Sequence, residues 1–277
     1  MARLELPESR LRARKRRHRL RIGIVLGVFV LLLSGGLIGA AYIPAVRISA
    51  VSVTGAQTIP PGTIETQVRE HLAGKYLWVL PKDTIFIYPK VRIADDLLAA
   101  YPSLASVDVH AVDFHTVGVA VVERVPRALW CTSSEAPSAE CYFMDENGVV
   151  YAPAPVFSSP VYSVYAGALE NGMITDGLPK QFLGPGQFSA LSALVDAIGQ
   201  KVPNDSVRGT DINRDGDVIV RFESNFLLEF ALADEGGDLF ERFTLALTSA
   251  PFKDRALGDF QYLDLRFGDK LYYKERQ

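Results

Sequence analysis

The chain has 277 residues, 48% hydrophobic and 22% charged, a balance that leaves room for one or two domains and excludes a wholly disordered, collagen-like or disulfide-dense polypeptide. Its formal net charge is −3, but residues 1–21 carry nine Lys/Arg against Glu5 and Glu8, so a tail of +7 precedes a remainder of −10. Charge separated between the ends in this way is a signal of topology rather than of fold.

Residues 22–43 account for the separation. None of them is Asp, Glu, Lys, Arg, His, Asn or Gln. As a helix rising ~1.5 Å per residue they reach about 33 Å, enough to cross a hydrocarbon core of ~30 Å. The expectation is a basic cytoplasmic tail over 1–21 and a transmembrane helix over 22–43 in the lipid bilayer, with everything beyond it on the outer side by the positive-inside rule. A cleaved signal peptide is the alternative, with Gly39-Ala40-Ala41 as small residues for a peptidase, although the apolar run exceeds the ~7–15 residues of a signal h-region. Nucleic acid is not expected as a partner, because no aromatic residue is interleaved with the arginines and the span explains the charge.

Residues 46–55 alternate apolar and small polar positions and close at Gly55 as a strand. An amphipathic helix follows, with Ile64, Val68 and Leu72 at fourfold spacing and Gly74 as its stop. A short apolar segment, 76–80, leads to Pro81. A second helix with Val91, Ile93, Leu97 and Leu98 apolar then runs to Tyr101-Pro102. Residues 105–114 and 117–124 read as two strands joined at His115-Thr116. This β-α-α-β-β order predicts a three-stranded sheet with two helices on one face.

Past Pro126 the pattern turns to strands at 127–131, 141–144, 149–151, 161–165, 218–222, 226–231 and 260–266, interrupted by helices near 188–200 and 238–249. The expected fold class is α+β: an N-terminal transmembrane helix, a β-α-α-β-β domain over 46–124, a mostly antiparallel α+β domain over 125–273, and a tail over 274–277. The two domains are expected to abut near 123–126.

Little in the chain suggests catalysis. Glu123 beside Arg124 suits an ion pair better than an acid catalyst, and no nucleophile elbow, zincin helix or phosphate-binding glycine loop is present, so neither enzymatic activity nor a cofactor is expected. Cys131 and Cys141 flank a polar loop, where a disulfide is expected in an oxidising exterior and two separate thiols are the alternative in a reducing one. His18, His71, His110 and His115 have no metal spacing with the cysteines, so no metal site is expected. Asp211-Ile-Asn213-Arg-Asp215-Gly216-Asp217 starts like a calcium loop, but Phe222 holds the twelfth position and a polar hairpin turn is the better reading. Recognition by strand addition at an exposed sheet edge remains. The last strand region, 260–273, offers Arg266, Phe267, Leu271, Tyr272 and Tyr273 as partner-binding anchors.

Several stretches resemble the bacterial cell-division family FtsQ/DivIB. Ile48-Ser-Ala-Val-Ser-Val-Thr-Gly55 is similar to the opening strand of that family's POTRA domain. Tyr101-Pro102, Val107-Asp108-Val109 and Val119-Ala-Val-Val-Glu-Arg-Val-Pro-Arg-Ala-Leu-Trp130 resemble its passage from POTRA into the β domain. Phe143-Met-Asp-Glu-Asn-Gly-Val-Val-Tyr151 resembles the next hairpin, and Tyr262-Leu-Asp-Leu-Arg-Phe267 the penultimate strand. Residues 152–186 show no such match, and Gly268-Asp-Lys-Leu-Tyr-Tyr departs from the family's usual ending. The resemblance implies a POTRA-like first domain and a non-enzymatic scaffold at the division septum of the bacterial inner membrane. Its implied partners are FtsB-like and FtsL-like bitopic proteins, with Arg266 and Phe267 at the FtsB-binding edge. An envelope enzyme or a transport-associated POTRA protein is the alternative.

Overall fold

The computed structural model describes residues 10–135, 139–170, 172–233, 236–268 and 270–277. Helix α1 (Arg10–Ala40) contains His18–Ala40, 23 residues of mean hydropathy 2.5 with none of its surface buried. Such length and composition suit a membrane anchor and equally a signal sequence. The helix starts inside the basic tail and ends at Ala40, three residues before the expected boundary at residue 43. Pro44, which opens a 3-10 turn (Pro44–Val46), disfavours helical backbone in the residue before it.

The chain forms two compact units, Met1–Ala100 with Ser106–Glu123 and Tyr101–Ala105 with Arg124–Gln277. The first holds β1 (Ala50–Thr54), α2 (Pro61–Leu72), a small hairpin of β2 (Lys75–Tyr76) and β3 (Leu80–Pro81), and α3 (Lys90–Ala100). It is completed by β4 (Leu104–Ala111), whose first two residues fall in the second unit, and β5 (Thr116–Glu123). Its sheet runs β1-β5-β4. β1 lies parallel to β5 with Val51 opposite Val117 and Val53 opposite Val119, an arrangement that needs a long crossover such as the two helices provide.

Ile64, Val68 and Leu72 of α2, Ile93 and Leu97 of α3, and Val117, Val119 and Val121 of β5 are buried, with Ile59, Ile85 and Val109 beside them in the buried set. Gly55 turns the chain out of β1 at φ +86°, where a Cβ would lie 2.0 Å from the Val121 carbonyl oxygen. Only glycine fits both conditions. Glu123 does not pair with Arg124. Its carboxylate accepts the backbone N–H groups of Gln57 (2.8 Å), Thr58 (3.0 Å) and Ile59 (3.1 Å), closing the loop that leads into α2. Burial pushes its pKa up, but these donors outweigh burial and hold it below the usual carboxylate range. Arg124, in the second unit, bonds Asp145 at 2.5 Å instead.

In the second unit the strands are β6 (Ala128–Cys131), β7 (Cys141–Met144), β8 (Val149–Pro153), β9 (Val164–Gly167), β10 (Lys180–Gln181), β11 (Val207–Ile212), β12 (Asp217–Phe222), β13 (Leu227–Ala231), β14 (Phe260–Phe267) and β15 (Lys270–Glu275). The helices are α4 (Pro185–Lys201) and α5 (Gly236–Thr248). The described strands join in one sheet, β10-β8-β7-β6-β9-β11-β12-β13-β14-β15. It is mostly antiparallel, as expected, with three parallel pairs among its nine: β6 with β9, β9 with β11 and β13 with β14. The last two parallel pairs are the ones whose connections contain α4 and α5, the crossovers that parallel neighbours require.

The core lies between this sheet and its helices. Val218, Val220 and Phe222 of β12, Leu228 and Phe230 of β13, and Leu263 and Leu265 of β14 pack with Phe188, Leu191, Val195 and Ile198 of α4 and Leu239 and Phe243 of α5. By the period-2 pleat the alternate residues of these strands take the opposite face, where Arg221 bonds Asp211 at 2.6 Å and Arg266 meets three carboxylates.

Candidate partner-binding edge

β14 is the inner wall of the candidate site. Leu263 and Leu265 are buried in the core, which turns Asp264 and Arg266 to the other face of the sheet. The Arg266 guanidinium donates to Asp264 through Nε (2.9 Å) and Nη2 (2.7 Å), and through Nη1 to Asp217 (2.7 Å). It also lies 3.0 Å from Glu229. Hydrogen bonding to Asp264, the largest cause, raises the Arg266 pKa despite burial. Burial raises the pKa of Asp264, yet the bonds from Arg266 prevail and hold it low. Glu229 is pushed up by burial, with the neighbouring Asp264 and Asp217 charges adding to the rise against the pull of Arg266.

The chain reverses after Phe267 through Gly268, at φ +61°. Arg242 of α5 clamps the turn by donating to the carbonyls of Leu265 (2.9 Å) and Gly268 (2.7 Å). β15 then returns antiparallel to β14, with Lys270 opposite Phe267, Tyr272 opposite Asp264 and Tyr273 opposite Leu263. Every residue of β15 is exposed, and among the described residues no strand pairs with its other side. Its outward N–H and C=O groups therefore form an open sheet edge.

Apolar side chains flank that edge. On the helix side, Leu271 joins Arg242, Leu245, Ala246, Phe252 and Leu265 around a groove of about 270 Å³. The Tyr273 ring packs 5.6 Å from Phe252 and 6.2 Å from Phe260. Tyr272 stands edge-on to Phe267 at 5.2 Å, and these two residues are 49% and 56% exposed. Of the anchors expected from the sequence, Phe267, Leu271, Tyr272 and Tyr273 thus gather at the edge. Arg266 is engaged inside the sheet and fixes β14 beneath them. Sequence reading merged β14 and β15 into one region and missed the contribution of α5. The Gly-Asp pair at 268–269, a two-residue hairpin signal, was the available clue.

Other candidate sites resolve into structural roles. Cys131 and Cys141 sit opposite one another in the β6–β7 register and are bonded, with Cα atoms 4.1 Å apart. The Asp211 segment is a β-hairpin. Asn213 Oδ1 accepts the N–H groups of Asp215 and Asp217 at 2.9 Å each, and Gly216 takes φ +83°. Asp211 and Asp217 are held by Arg221 and Arg266. No group of three or more His, Cys, Asp or Glu among the described residues is arranged to hold a metal ion.

No protein-family model matches the chain, and no curated protein matches it. The functional reading therefore stands on the residues and on the geometry of the edge.

Proposed function

We propose that this protein is a single-pass membrane scaffold of the bacterial division machinery, of FtsQ/DivIB type, whose first unit beyond α1 is POTRA-like and lies outside the membrane. It captures an FtsB-like bitopic partner, and with it an FtsL-like one, by strand addition at β15. The observation that carries this reading is the open edge of β15, bordered on one face by Phe267 and Tyr272 and on the other by the groove under Leu271. Main-chain pairing supplies affinity in such a mode, and pockets for alternate side chains supply specificity.

The residues directly after α1 favour an anchor over a cleaved signal. Ala41 is buried, and the Tyr42 hydroxyl donates to the Val79 carbonyl, so a cut at residues 39–41 would detach the chain at a packed position. In this reading the positive tail keeps the N-terminus in the cytoplasm, and the first unit beyond α1 and the whole second unit lie outside it. Among the described residues no group of three or more His, Cys, Asp or Glu is arranged to hold a metal ion, and the role proposed for the edge is binding.

The test is capture from host membranes by the tagged full-length chain and by its Phe267→Glu/Tyr272→Glu variant. The wild type is expected to retain a small single-span coiled-coil protein that the variant loses, with circular dichroism unchanged between the two. Equal capture by both chains refutes the edge, and absence of any such protein from both refutes the division-scaffold reading.

A further inference from the structure

The β2–β3 hairpin presents its most apolar residues where the fold gives them nothing to do. Leu77 is 87% and Trp78 94% exposed. Both take positive φ, 46° and 65°, with the Val79 N–H returning to the Tyr76 carbonyl at 3.0 Å. Two successive left-handed residues are the signature of a turn that Asn-Gly adopts without strain. Here bulky side chains occupy it against both their backbone preference and their hydration. Backbone held in sparsely populated regions gathers at ligand clamps and other working sites.

The position of this tip is fixed by its neighbours. Tyr42, two residues past the end of α1, donates its hydroxyl to the Val79 carbonyl, and the Lys75 ammonium lies 5.1 Å from the centre of the same ring. The segment leaving the hairpin is zipped to the segment leaving the helix: Ile48 N–H to Asp83 O at 2.7 Å, Ile85 N–H to Val46 O at 3.0 Å, and Arg47 to Asp83 at 2.5 Å. An apolar tip flanked by Lys75 and Lys82 is thereby held beside the outer end of the apolar helix. Trp and Tyr concentrate at that level of a bilayer, and Lys finds lipid phosphate there.

We propose that the hairpin over residues 75–81 is a membrane foot. Leu77 and Trp78 enter the headgroup boundary of the outer leaflet of the bilayer that α1 crosses, and Lys75 and Lys82 contact phosphates. The occupant of the apolar tip is phospholipid, since the tip is continuous with the span through Tyr42. This inference rests on the anchor reading of α1.

The experiment uses the full chain reconstituted in phosphatidylcholine–phosphatidylglycerol vesicles containing phosphatidylcholine brominated at shallow or deep acyl positions. Trp130, buried in the second unit, is the internal reference, and Trp78→Ser isolates the Trp78 signal by difference. Bromolipid is expected to remove most of the Trp78 emission, shallow bromines more than deep ones, and to leave the Trp130 emission intact. Retention of the chain through alkaline carbonate extraction checks the anchor in the same samples. A chain extracted by carbonate overturns the anchor reading and the foot together. A retained chain whose Trp78 is unquenched by bromolipid, but open to quenching by aqueous iodide, overturns the foot alone.

Discussion

Arg266 is the residue through which the candidate edge is most exposed to a decisive perturbation. In Arg266→Met the methylene packing is largely kept, while Asp264, Asp217 and Glu229 lose their common cation. Removing one partner of a buried ion pair costs about 3–5 kcal/mol. The Arg266 side chain is 30% exposed and those of Asp264, Glu229 and Asp217 are 8%, 20% and 22% exposed, so solvent screening brings the expected loss to roughly 2–3 kcal/mol at neutral pH. The pH dependence is the sharper signature. In the wild type the lowered pKa of Asp264 contributes stability that is present above its unfolded value of about 3.9 and lost as pH falls through the lower folded value. Without Arg266, burial and the two neighbouring carboxylates raise that folded value above the unfolded one. The variant's stability is then fully present below about pH 3.9 and lost as pH rises through the raised value. The two proteins should therefore converge in acid and separate toward neutrality. Urea unfolding of the full chain in detergent, followed by Trp130 in the second unit, should show the midpoint at neutral pH reduced by about 1 M, given slopes of roughly 1–3 kcal/mol per M. A shift equivalent to less than about 1 kcal/mol, or one that does not change with pH, would refute the assignment of Arg266 to the internal network.

Two further outcomes test the packing of each unit. Reducing the Cys131–Cys141 bond, or replacing both cysteines by Ser, should destabilise the second unit by roughly 2–3 kcal/mol, the chain-entropy value for so short a loop. Thermal unfolding with and without reductant measures the change, and an unaffected transition argues against the bond. Gly55→Ala should destabilise the first unit by at least about 1–3 kcal/mol, since it adds left-handed strain to a clash with the Val121 carbonyl; a neutral result in limited proteolysis would contradict the turn geometry.

Where side chains are sorted between core and water, the fold was legible. Ile64, Val68 and Leu72 were expected on one helix face and are buried there, as are Ile93 and Leu97. Val91 was grouped with them but is 65% exposed, because two residues of helix carry it about 200° around the axis from Ile93. β11 escaped notice because Val-Arg-Gly-Thr-Asp-Ile offers little alternation, and its pairing with β9 and β12 supplies what its composition does not. The parallel pairs were hidden for a related reason: strand periodicity is blind to direction, and the helix inside a connection is the usable signal. At the candidate site the aromatic anchors could be read from residue type. The separate edge strand left only its turn signal, since a strand exposed along its whole length imposes no inward apolar pattern. The involvement of Arg266 with Asp217 and Glu229 depends on β12, β13 and β14 being neighbours, which no local stretch encodes.

The zip between the residues after α1 and the segment after the hairpin bears on how the first unit is carried. A flexible leash of n residues lets a tethered body roam over roughly 5–6 Å × √n and tumble freely. Here the hydrogen bonds begin within a few residues of Ala40, so almost no leash exists. With α1 as the proposed anchor, a partner in the same membrane would meet the first unit at one height and in one attitude, and the search for the right orientation would be reduced to rotation about a single axis, that of the helix.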